Sequence, residues 1–252
     1  MNAGRPAHAL LVPSTFDLPK NYWIAAAYVA SARTSINDSI RAPDRDRGRN
    51  KNLLADIAGV IGELVAAAAA EEIPGVLEVK TNLLDVDGPI DDVDLTLTDS
   101  PTADCVRLEA KCHLLSDRKR LFLINERAHQ KASERGAHGY LPTFSGELKA
   151  LCFLGKVIPI STVDQWGKST AFRDTARQLC LETFASQWLE VSLPDARERV
   201  TGSESVATST QLDEARNRAT TDVRENSLAG YELKQMATRE AVDQIAWYAE
   251  RS

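Results

Sequence analysis

The stretch NLLADIAGVIGELVAAAAAEE, residues 52–72, constrains the fold of this chain more than any other. Ile57, Ile61, Leu64, Val65 and Ala68 form an apolar stripe at helical spacing. Asn52 stands where a cap belongs, and Pro74-Gly75 supplies the stop. The opposite side is Gly59, Gly62, Ala66 and Ala70, so the helix is small or apolar nearly all round. Such a helix is buried on most sides. One charge interrupts its small-residue side, Glu63. Either it lies exposed at the helix edge, or it is buried, where a carboxylate is costly without a partner.

Strands follow. Residues 76–85 read as one, and after the Asp87-Gly88-Pro89 turn residues 90–98 read as another. In the second, Val93, Leu95 and Leu97 alternate with Asp92, Asp94, Thr96 and Thr98. A Ser-Pro-Thr turn leads to a third strand, 104–112, where the run VRLEAKCH (106–113) sets valine and leucine against Arg107, Glu109, Lys111 and His113. Two amphipathic strands joined by a short turn predict a hairpin. Glu109 and Lys111 are two apart and share a face, and antiparallel pairing brings Asp94 beside them.

Elsewhere, 1–18 reads as an extended arm, 19–40 as a helix starting near Pro19, and 117–136 as a helix capped by Ser116. Residues 147–162 predict one or two strands, with Pro159 placing the second at an edge or end. A helix over 168–191, a linker over 193–205 and a charge-rich helical segment over 206–251, interrupted near Gly230, complete the chain. The expected division is 1–50, arm and helix; 51–165, core; and 166–252, helical extension.

With 252 residues, 43% of them apolar and 26% charged, the chain suits one large globular domain or a domain with an appendage. A net charge of −6 argues against a simple nonspecific nucleic-acid binder. Local basic patches remain: Arg120, Arg127, Lys131 and Arg135 fall on one helical face, and the loop 41–51 offers a second surface. Each reads either as a solvated surface or as a phosphate contact. No stretch approaches the roughly 20 apolar residues of a membrane helix. The N-terminus is a poor signal peptide, so the expected location is cytoplasmic. Cys105, Cys112, Cys152 and Cys180 form no CxxC pair, which argues for reduced thiols rather than a zinc or redox motif.

Phosphodiester hydrolysis gives the acidic strands a shared purpose. Charge at the phosphate must be neutralised, water activated and the leaving oxygen stabilised. Magnesium prefers carboxylate oxygens and keeps several waters. Asp94 and Glu109 would hold it, with the carbonyl of Ala110 as a third ligand. Lys111 would orient the attacking water, and Glu63 would extend the acidic cluster directly or through a water. Asp91, Asp92 and Asp94 compete for the metal position. Asp94 is favoured, flanked by Val93 and Leu95 inside the strand; Asp92 shares its face as support, and Asp91 points the other way.

The run PIDDVDLTLTDSPTADCVRLEAKCH, with GELVA at 62–66, resembles the PD-(D/E)XK superfamily of restriction-endonuclease-like nucleases. The resemblance covers roughly residues 50–165. It implies an α/β fold, an αβββαβ core around a central mixed sheet flanked by helices, here with helical N- and C-terminal extensions. It implies Mg²⁺-dependent cleavage of DNA, most simply double-stranded, with Mn²⁺ able to substitute, in a restriction or phage-defence setting. A non-catalytic DNA-binding or assembly subunit that kept the fold is the alternative. His113, on the face of Lys111, and Gln130, on the next helix beside His129 and Lys131, are candidate supporting residues. Ile245, Trp247 and Tyr248 could dock the last helix on the core, on a protein partner or on a second copy in a homodimer.

Overall fold

The computed structural model describes residues 10, 12–37, 49–81, 93–98, 105–115, 121–169, 175–225 and 236–251. Along the chain, strand β1 (Thr15–Asp17) precedes helices α1 (Lys20–Asn37) and α2 (Arg49–Glu71). Strands β2 (Glu78–Thr81), β3 (Leu95–Thr98), β4 (Val106–Leu114) and β5 (Leu121–Asn125) follow, then α3 (Glu126–Glu134). Next come β6 (Gly139–Ser145), β7 (Leu151–Leu154), β8 (Ile158–Pro159), α4 (Ile160–Val163), β9 (Gly167–Ser169) and β10 (Ala176–Cys180). Among the described residues α5 (Leu181–Trp188), α6 (Leu193–Gly202), α7 (Ser209–Arg224) and α8 (Thr238–Glu250) follow.

The main sheet is mixed, in the order β1-β7-β6-β4-β3-β2, with β8 also paired to β6. The expected hairpin forms: β3 pairs antiparallel with β4, and β2 antiparallel with β3. After α3 the chain returns as β6, parallel to β4. Side-chain alternation along these strands divides two apolar layers. Leu95, Leu97, Leu108, Ala110, Leu141, Cys152 and Leu154 face one layer. Tyr140, Phe144 and Phe153 face the other.

The first layer is built by α1, α2, α7 and α8. Helix α2 is buried all round from Leu64 to Ala70, as its composition demands. It begins at Arg49, three residues before the expected cap at Asn52. Gly62 sets how closely it approaches the sheet: a Cβ there would lie 2.8 Å from the Cβ of Cys112 on β4. Helix α1 is as deeply buried, from Tyr22 to Ala30. Helix α8 docks within the chain, with Val242, Ile245, Ala246 and Ala249 buried and Trp247 exposed. The segments outside 51–165 therefore share one core with it.

Several elements differ from expectation. Of the helix predicted over 117–136 from a cap at Ser116, residues 116–120 lie outside the described ones. The rest is strand β5 followed by the shorter α3, whose first turn is capped by the Asn125 side chain accepting from Ala128 N at 3.1 Å. Leu121–Asn125 instead pairs residue by residue with β10, and β9 completes this second, three-stranded sheet. The helix predicted over 168–191 accordingly gives way to β9, β10 and α5. The linker predicted over 193–205 is α6, capped by Ser192, with Leu193, Ala196 and Val200 buried along one face.

Strand β6 is buried throughout and carries a proline. Gly155 N donates to the carbonyl of Pro142, so that residue's peptide groups face β7 and β8 rather than β4. β8 pairs with residues 139–140 and β7 with 143–145, leaving Pro142 between the two ladders, where its missing N–H breaks no bond. Pro159 ends β8, as the sequence predicts. Among the described residues no helix is long and apolar enough to cross a membrane.

Candidate active site

The β3–β4 ladder ends at the pair Leu95–Leu108. Asp94 lies one residue beyond that end, and its Oδ2 accepts a hydrogen bond from the backbone N–H of Ala110 at 2.8 Å. The carbonyl of Arg107 accepts from His138 N on the β6 side. By alternation, both peptide groups of Ala110 face the β3 side, where the ladder has stopped. A carboxylate and a strand carbonyl thus meet at an opened sheet edge.

Glu109 and Lys111 project from the positions flanking Ala110, on the face shared with Tyr140, the register partner of Glu109. Lys111 Nζ lies 3.4 Å from Glu109 Oε2 and 5.7 Å from the centroid of the Tyr140 ring. Glu109 is 7% exposed, and among the described residues its Oε1 has no hydrogen-bond partner. A buried carboxylate oxygen left this way is costly unless a cation meets it.

The electrostatics follow from this crowding. Burial, the charge of Glu63 and the charge of Glu109 push the Asp94 carboxyl up to about 7, against the opposing pull of Lys111 and the Ala110 N–H. Burial works against the Lys111 ammonium, but Asp94, Glu109 and Glu63 together outweigh it and hold its pKa above the ordinary lysine value. Lys111 is therefore a cation at neutral pH.

Glu63 reaches the cluster from α2, but both its oxygens are taken. Arg33 Nη1 donates to Oε1 at 2.9 Å and Nη2 to Oε2 at 2.7 Å. Burial opposes the Arg33 charge, while Glu63, Asp94 and Asp56 more than restore it. Thr34 Oγ1, donating to Asp56 at 2.9 Å, adds a second tie between α1 and α2. Arg33 was invisible to the strand and motif patterns. The available signal was its place as the first charge after the uncharged run Asn21–Ala32 on a buried helix.

The remaining candidates scatter. His113 is buried between aromatic rings, 6.0 Å from Phe122 and 5.7 Å from Phe144, on the face of Glu109 and Lys111 but further along the strand. Gln130 is exposed on α3, and it is the neighbouring His129 that turns inward. His129 Nδ1 is 2.9 Å from the Tyr140 hydroxyl, and Nε2 is 2.9 Å from Asp164 Oδ1. No sequence pattern points to Tyr140, because Pro142 masks β6 as a strand. Arg127 and Lys131 are exposed on α3, and Arg135 is half-buried at its C-cap. Asp92 and Arg120 lie outside the described residues, as does the loop 41–51 except for the last three residues, which open α2.

Asp94, Glu109 and the Ala110 carbonyl are hard oxygen donors that suit Mg²⁺, and the unpartnered Glu109 oxygen fits such a role. Among the described residues no three His, Cys, Asp or Glu side chains are grouped to hold a metal as they stand. Comparison with models of known families, with curated proteins and with solved structures finds no match to this chain.

Proposed function

We propose that this chain is a Mg²⁺-dependent endonuclease that hydrolyses phosphodiester bonds in DNA, a restriction-endonuclease-like member of the PD-(D/E)XK superfamily. The element order α2-β2-β3-β4-β5-α3-β6, with β4 parallel to β6 and β5 set apart in the second sheet, supports that reading. The observation that carries it is the opened end of the β3–β4 ladder. There Asp94 meets the Ala110 N–H, and Glu109 and Lys111 project from the adjoining positions.

Asp94, Glu109 and the Ala110 carbonyl would hold the metal. When bound, Mg²⁺ neutralises phosphate charge and lowers the pKa of a coordinated water. Lys111, kept protonated by its carboxylate neighbours, donates hydrogen bonds; it orients water and offsets charge on the phosphorane rather than accepting a proton. The face of the Tyr140 ring supports that ammonium, and His129 with Asp164 fixes the ring. Arg127 and Lys131, exposed on α3, supply phosphate contacts for double-stranded DNA.

The test is cleavage. Supercoiled plasmid, single-stranded DNA and RNA are incubated with the pure protein in Mg²⁺, Mn²⁺ or EDTA, beside Lys111→Ala and Asp94→Ala. Plasmid cleavage that requires the metal and falls at least about 10²-fold in both variants supports the proposal. Equal activity in all three proteins would assign the cleavage to a contaminant or another site.

A further inference from the structure

We propose that the guanidinium of Arg33 stands in the place of a second divalent cation, so that the cluster of Glu63, Asp94 and Glu109 takes one Mg²⁺ rather than two. This rests on the metal-dependent reading above.

Asp94 is held by the Ala110 N–H at 2.8 Å, and the charges of Glu63 on α2 and Glu109 on β4 both act on it. Two glutamates acting on one aspartate carry the charge of a two-ion site, in which ions lie about 3.5–4 Å apart, yet as they stand the three carboxylates are not grouped around an ion. One half of this cluster is already satisfied. The Arg33 fork engages both oxygens of Glu63, at 2.9 and 2.7 Å, which leaves neither oxygen uncommitted. The pair is partly withdrawn from water, with 35% of the Arg33 side chain and 14% of the Glu63 side chain exposed. Opening it would strand a desolvated charge, and Mg²⁺, which gives up its waters reluctantly, competes poorly for such a carboxylate. Asp94 also acts on the Arg33 charge, so the guanidinium serves the cluster and not Glu63 alone.

The other half is open. Glu109 Oε1 is buried without a hydrogen-bond partner among the described residues, on the strand position next to Ala110. A single ion held by Asp94, Glu109 and Ala110 leaves the Arg33–Glu63 pair intact.

The experiment is titration of Mn²⁺ into the metal-free full chain, with free Mn²⁺ read by electron paramagnetic resonance. The proteins are wild type, Arg33→Gln, Glu63→Gln and Asp94→Asn. Wild type is expected to bind one Mn²⁺, and Asp94→Asn to lose it. Arg33→Gln frees Glu63 and is expected to bind two. Glu63→Gln is expected to bind one, with affinity within about tenfold of wild type, because only a neighbouring charge is lost. Two ions in wild type, or one ion at unchanged affinity in Arg33→Gln, overturn the proposal while leaving a metal site in place. If Arg33→Gln does not fold, Glu63→Gln decides: a loss well beyond tenfold makes Glu63 a ligand and overturns the proposal. Wild type that binds no Mn²⁺ removes the metal reading itself, and this inference with it.

Discussion

The Tyr140 hydroxyl lies 2.9 Å from His129 Nδ1, and the same ring lies under the ammonium of Lys111. Asp164, 2.9 Å from His129 Nε2, completes a chain that ties α3 and the turn after α4 to the strand beside Lys111. Burial pushes the Tyr140 hydroxyl well above its ordinary range, so it stays protonated. Tyr140→Phe keeps the ring and strands the buried His129 nitrogen. It is expected to cost about 1–3 kcal/mol in urea unfolding. Tyr140→Leu removes the ring face as well and should slow cleavage a further tenfold or so. Equal cleavage by the two variants, at matched folded fraction, would detach the ring from Lys111.

Asp94 makes metal-free stability depend on pH. Its carboxyl is raised from an ordinary 3.8 to about 7 in the folded protein, by burial first and by Glu63 and Glu109 next. Between those values the folded state binds more protons than the unfolded state, so stability falls as pH rises from 4 to 7. The loss is on the order of 3 kcal/mol. Asp94→Asn should flatten that part of the profile and leave the variant more stable than wild type at pH 8 in EDTA. Parallel profiles for the two proteins would contradict the assignment.

At Gly62 helix α2 packs directly against β4. A Cβ there would lie 2.8 Å from Cys112 Cβ and 3.1 Å from Cys112 N, and the backbone nitrogen cannot yield. Gly62→Val is expected to lose about 1–3 kcal/mol of stability. It should also lower cleavage in the surviving folded protein, because Glu63 is carried on the same turn. Full activity in a folded variant would free the site from the helix position.

The exposed charges of α3 should read as phosphate contacts. Arg127→Ala and Lys131→Ala are each expected to weaken DNA binding across all sequences and to flatten its salt dependence by about one unit of slope. Unchanged slopes would return these residues to ordinary solvated surface. Cutting both strands of a duplex is most simply done by a two-fold pair, so sedimentation on a duplex should give two chains; a monomer, free and on DNA, would remove the pairing.

What the sequence made legible was local. Helix α2 announced its burial through composition, and the β3–β4 hairpin through period-two alternation over consecutive strands. Asp94, Glu109 and Lys111 came together because antiparallel pairing of neighbours leaves little choice of register. The second sheet was hidden because β5 finds its partner in β10, far along the chain, and LFLIN alone is too short to separate strand from helix. Strand β6 was hidden by Pro142, whose tolerance depends on where two other strands stop. Arg33 was hidden for a related reason: its meaning lies in a helix–helix contact, and no periodicity within α1 encodes the carboxylate across from it.

The burial of α1 has a consequence for synthesis. This helix is synthesised well before two of the elements that cover it, α7 and α8. Tyr28 must wait for Asp222 to accept its hydroxyl at 2.8 Å. Until α7 and α8 are made the nascent chain carries a partly uncovered apolar rod, the kind of surface that chaperones bind and that drives aggregation. A ribosome stalled before residue 209 would hold a protein with its strands complete and its innermost helix still uncovered on one side.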